Sequence, residues 1–196
     1  ILLPTSILVI VAIASFLPQN KLDDNFVEYF DETVPFRAAT DFMEDNLSGL
    51  SSIEVSINSR ESSGINDPAF LKTVGDFSEW LRVQPFTDHV NSISDVLKRL
   101  NKNMHGDDPA FYKLPEEREL SAQYLLLYEM SLPYGLDLNN QLNVDKSSTR
   151  VIGTFKNLSS MEQINIEQSM YEWVAKNAPA YQISISIPTL MFAHMV

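Results

Sequence analysis

The sequence predicts an α+β fold, with helices packed on one face of a four-stranded sheet. Three observations point to it. Ile53, Val55 and Ile57 alternate with polar residues, as in a strand buried on one side. Phe70, Leu71, Val74, Phe77 and Leu81 recur at helical spacing directly afterwards. The same strand, helix, strand order then returns after residue 149.

The first seventeen residues hold eleven Leu, Ile, Val or Phe and no charge, and Pro18 closes the run. Such a stretch is just long enough for a bilayer-spanning helix, or is the remainder of a longer one. Its apolar side chains favour insertion by about 3–7 kcal/mol. Two other readings stand beside it. Ala12-Ile13-Ala14 has the small-x-small form of a signal-peptide cleavage site. A buried core helix is the third, weakened by the lack of any polar face.

Residues 52–58 form the first predicted strand. Asp67-Pro68 supplies an N-cap and a proline at the first helical position, and Gln84-Pro85 ends that helix. A shorter strand is predicted over residues 86–93, around Val90 and Ile93. In the second unit, residues 149–155 read as a strand and Ser159-x-x-Glu162 as a capping box. The helix it opens runs to about Lys176, and residues 181–187 alternate as the last strand. Two units of similar length make a ferredoxin-like sandwich.

Between them lies a helical insertion, about residues 94–143. A short helix is expected through Val96, Leu97 and Leu100, and a longer one over residues 115–132. Glu116, Glu117 and Glu119 fall in the expected first turn of the longer helix, where its dipole favours negative charge. The run Tyr124-Leu-Leu-Leu-Tyr128 then circles the helix, which implies burial on all sides or a partner surface.

Composition narrows the function. The 196 residues carry 14 basic and 26 acidic side chains, net charge −12. A nucleic-acid surface needs concentrated Lys and Arg, so no nucleic-acid partner is expected. The absence of cysteine excludes disulfides, thiolate metal sites and a cysteine nucleophile. His89, His105 and His194 share no metal-ligand spacing, and no phosphate-binding glycine loop or nucleophile elbow occurs. The adjacent carboxylates Asp23-Asp24, Asp107-Asp108 and Glu116-Glu117 point different ways on any regular element and read as caps or surface. Asp137-Leu-Asn-Asn140 with Asp145 is a calcium candidate that lacks the cation-loop signature. Asn46-Leu-Ser48 and Asn157-Leu-Ser159 fit the short glycosylation sequon. No catalytic residue, metal or cofactor is expected, and the chain is read as a non-enzyme that binds, gates or conducts.

Several stretches resemble one family. They are Asp23-Asp-Asn-Phe-Val-Glu-Tyr-Phe30, Arg37-Ala-Ala-Thr-Asp-Phe42, Leu100-Asn-Lys-Asn-Met-His-Gly-Asp-Asp-Pro109 and Leu114-Pro-Glu-Glu-Arg-Glu-Leu120. Residues 123–140 and Asn143-Val-Asp-Lys-Ser-Ser-Thr-Arg150 join them. Together they are similar to a periplasmic loop of bacterial exporters of the resistance-nodulation-division (RND) superfamily, in the branch related to MmpL and Patched-like proteins. The resemblance implies a fragment of an inner-membrane transporter with two similar halves. Residues 1–20 would be a truncated transmembrane helix, 21–188 a periplasmic porter-type domain, and 189–196 the run-in to the next span. Ser184 and Ser186 stand where the family pattern leads one to expect glycines.

The resemblance further implies proton-driven efflux of lipidic or hydrophobic compounds. The expected partners are the lipid bilayer, such a substrate, the rest of the same transporter chain, and further copies in a homo-oligomer. Tyr124, Leu127, Tyr128, Met130 and Tyr134 are the expected substrate-path or interface residues, chosen on expected exposure of apolar surface alone. The alternative expectation is a secreted or membrane-tethered periplasmic binding module with a cleaved signal peptide.

Overall fold

The order of strands in the sheet is β2-β3-β1-β4, every neighbouring pair antiparallel. The structure, a computed structural model, describes residues 2–16, 26–49, 51–156 and 158–187. The strands are β1 (Ser51–Asn58), β2 (Thr87–Asn91), β3 (Ser148–Phe155) and β4 (Gln182–Ser186). The helices are α1 (Leu2–Ala14), α2 (Pro35–Asn46), α3 (Pro68–Arg82), α4 (Ile93–Met104), α5 (Arg118–Ser131) and α6 (Ser160–Asn177). The fold is α+β, as the alternation and helical periodicity predict.

Each strand-helix-strand unit leaves a gap that the other fills. β1 and β2, joined by α3, are separated by β3; β3 and β4, joined by α6, are separated by β1. Ile53, Val55 and Ile57 on β1 and Val151 and Phe155 on β3 turn to one face and are fully buried. There α3 and α6 meet them, with Phe77 of α3 edge-on to Trp173 of α6 at 5.2 Å between ring centroids. The opposite face carries Ser56, Glu54, Arg150 and Thr154, with Arg150 donating to Glu54 at 2.9 Å.

Local signals set the helix starts. Asp67 accepts the Ala69 amide ahead of Pro68, and Ser159 and Glu162 close a capping box on α6. In three places the structure differs from the sequence expectation. Ile93 belongs to α4 and not to β2, because the strand ends at Asn91 and Ser92 occupies the N-cap position. Helix α5 begins at Arg118, so only Glu119 lies in its first turn; Glu117 is the N-cap residue and Glu116 pairs with Lys113 at 2.8 Å. Helix α2, with its proline at the first position, has no counterpart in the expected elements.

Of the expected truncated transmembrane stretch at residues 1–20, residues 2–14 are helical. Helix α1 spans 13 residues, which at 1.5 Å each gives about 20 Å, against a hydrocarbon core of about 30 Å. No helix among the described residues is long and apolar enough to cross a membrane. Residues 17–20 of that expected span, and the expected run-in at 189–196, lie outside the described residues.

Candidate functional site

Helix α5 presents two stripes of opposite character. Ser121, Tyr124 and Leu125 face the core and are buried, while Leu126, Leu127 and Met130 face outward. The inward set follows the spacing of one helix face, and the next apolar residues fall on the other. The helix is therefore half-buried with an apolar outer face, and not enclosed on all sides.

This divides the residues predicted to form a path or interface. Tyr124 is 7% exposed and its hydroxyl donates to Asn101 Oδ1 at 3.1 Å, so it is part of the α4–α5 contact and leaves the expected set. Tyr128 is half-buried against the core. Leu127, Met130 and Tyr134 are exposed, Tyr134 completely. Leu126, Leu136 and Val144 are exposed as well, beyond the residues expected from the sequence. The signal for Leu126 is its place four residues before Met130, on the same helix face; Leu136 and Val144 lie in irregular segments, where periodicity carries no information.

A cleft of about 250 Å³ opens beside this surface, lined by Glu129, Asp137, Leu142, Asn143, Val144 and Lys146. Lys146 pairs with Glu129 at 2.7 Å, fastening the lead-in to β3 onto α5. Asn143 accepts the amides of Ser147 and Ser148 at 2.9 and 2.8 Å. The same lead-in is bonded to the loop after β1: the amides of Ser59, Ser63 and Ile65 donate to the carbonyls of Ser147, Asp145 and Lys146. The cleft thus has a rigid wall.

No family model matches the chain, and no curated protein does.

The polar groups around the cleft are engaged locally. Asp137 accepts from the amide and side chain of Asn139, and Asp145 from the amide and hydroxyl of Ser147. The two carboxylates of the calcium candidate are therefore occupied by their own turns. No group of three or more His, Asp or Glu able to hold a metal occurs among the described residues. Of the histidines, His105 stacks on Phe111 at 3.8 Å and bonds the Asn101 carbonyl through Nδ1, while His89 lies exposed on β2. Asp108 caps the turn at Pro109–Phe111. His194, Asp23, Asp24 and the second sequon's Asn157 lie outside the described residues, and Asn46 of the first sequon donates to the Phe42 carbonyl.

A second apolar surface lies on α2 and the turn before it. Phe36, Phe42, Met43 and Leu47 are exposed there beside Tyr29 and Phe30, with Phe30 and Phe36 edge-on at 5.2 Å. The segment is held to the sheet through Gly49, whose amide donates to Asp88 at 2.7 Å.

Proposed function

We propose that this chain is a porter-type domain of an RND-type exporter, standing in the periplasm and moving lipidic or hydrophobic compounds. The strand order, with two interleaved strand-helix-strand units, supports a ferredoxin-like arrangement of the kind that the family resemblance implies. The observation that carries the reading is the apolar outer face of α5 and its exit: Leu126, Leu127 and Met130 are exposed on a helix whose inner face is fastened to the core, and Tyr134 is exposed just beyond it. Exposed apolar surface of this extent on a rigid mount suits a lipophilic substrate or a neighbouring subunit. Its mechanism is conformational: two such domains rock against each other as membrane spans elsewhere in the transporter change protonation, opening and closing a path.

A secreted or tethered binding module is the second reading, and one observation favours it. Helix α1 ends at Ala14, the last residue of the small-x-small pattern, with Ser15 and Phe16 in the turn after it. The two readings part on a single experiment with the complete gene product carrying a C-terminal tag. An uncleaved protein that resists alkaline carbonate supports the exporter, and a product beginning near Ser15 and free in the periplasm overturns it. Within the exporter reading, Leu127→Glu lowers export while the protein remains folded and in the membrane. Unchanged export in that variant removes the α5 face from the path.

A further inference from the structure

The two edges of the sheet are built differently. Edge strand β2 is guarded: it is broken by an irregularity between Thr87 and His89, carries Asp88, and is tied at that residue to the Gly49 amide. Such bulges, charges and covering segments are the ordinary protection of a sheet edge. Edge strand β4 has none of them among the described residues. It is Gln182-Ile-Ser-Ile-Ser186, regularly paired with β1 on one side, and no strand lies on its other side among the described residues.

Two further features single out this edge. No Asp, Glu, Lys or Arg occurs from residue 177 to residue 186, in a chain of net charge −12. Two copies repel each other over most of their surfaces, but not along this strand. Ile183 and Ile185 lie opposite Ile57 and Val55 and turn toward the helix layer, yet they stay half-buried where those partners are fully buried. Among the described residues, the apolar layer stops one strand short of cover.

We propose that β4 pairs with β4 of a second copy, antiparallel and across a two-fold axis at Ser184, joining two four-stranded sheets into one. That register is self-complementary. It sets Ile183 opposite the second copy's Ile185 on the helix side, and Gln182 opposite its Ser186 on the open side. Ser184 meets its own counterpart, and a two-fold interface of this kind closes without forming a filament. The proposal draws on the edge geometry alone and stands whether or not the exporter reading holds.

The full chain, in mild detergent, lacks cysteine and so accepts single-cysteine probes directly. Ser184→Cys brings two thiols to the axis, at a separation that antiparallel pairing makes suitable for a disulfide. Ser56→Cys is the control, on the same face but inside the sheet beside β4. Mild oxidation is expected to give a reducible dimer with Ser184→Cys in at least tenfold excess over Ser56→Cys. Light scattering is expected to show the mass of the unmodified chain doubling with concentration. Ile185→Lys, which puts a charge on the edge, raises the midpoint at least tenfold with the far-ultraviolet circular dichroism unchanged. Equal linkage of the two cysteine variants, or association unaffected by Ile185→Lys, overturns the proposal. The second result would assign the contact to another surface, such as α1, and a mass of one chain at every concentration overturns it as well.

Discussion

Tyr124 of α5 donates its hydroxyl to the side-chain oxygen of Asn101 on α4, at 3.1 Å and between two buried residues. Asn101 in turn donates to the Lys113 carbonyl at 2.9 Å, so one amide joins two helices and the segment that links them. Tyr124→Phe keeps the ring and removes the donor, leaving the Asn101 oxygen buried without this partner. The expected loss is about 1–3 kcal/mol in urea unfolding. A loss near zero would mean that water reaches the oxygen and that the α4–α5 contact is looser than described.

Phe77 is fully buried where α3 meets α6, with Trp80 at 5.7 Å and Trp173 at 5.2 Å between ring centroids. Phe77→Ala is expected to cost about 3–5 kcal/mol, the usual range for deleting a buried ring. The tryptophan emission should move to longer wavelength as water enters. Calorimetry and fluorescence on the same sample check both parts together.

Gly153 on β3 allows Phe155 to fold back beside it. A methyl group at this position would meet the Phe155 ring at 2.6 Å and Leu81 at 3.2 Å. Gly153→Ala therefore overpacks the sheet–helix layer and should destabilise by about 1–3 kcal/mol. Gly153→Ala combined with Phe155→Leu should lose less than the two single changes added, because the smaller side chain makes room. Additive losses in that pair would contradict the contact.

Glu79 lies between Arg82 at 2.7 Å and Lys98 at 3.5 Å. Burial pushes its carboxyl up, but the hydrogen bond and charge of Arg82, with the charge of Lys98, together hold it below the ordinary glutamate range. A carboxyl depressed in the folded state contributes stability above its unfolded value and loses it as pH falls through the folded one. Glu79→Gln should therefore leave a shallower decline of stability on acidification, with the curves converging at the acid end. Solvent screening keeps the difference small, since more than half of the Glu79 side chain is exposed. A decline of unchanged slope would show that the pair has no thermodynamic weight.

The sequence was most legible where a repeat of two or of 3.6 governs burial. Val55 and Ile57 announce β1, Phe70 and Phe77 announce α3, and Ser159 with Glu162 marks the start of α6 to the residue. Legibility fails where burial depends on what lies across the gap. Nothing in the spacing of Tyr124 and Leu127 says which of them the core will take, since both belong to one apolar run; Asn101 decides it from another helix. Helix α2 is hard to foresee because the face it turns inward holds Arg37, Thr40 and Asp41, while Phe36, Phe42 and Met43 are exposed. The edge status of β4 was equally hidden, because strand order is a property of the whole chain.

Strand β3 has a kinetic implication. It lies between β1 and β2, yet 56 residues separate the end of β2 from its first residue. As the chain leaves the ribosome, β1, α3 and β2 emerge with the slot between the two strands vacant, and neither can bond to the other across it. Ile53, Val55 and Ile57 remain without sheet neighbours until residue 155 has been synthesised, an interval of several seconds at ordinary elongation rates. The nascent domain is thus most open to chaperones, and to mispairing, during translation of the segment that contains α4 and α5.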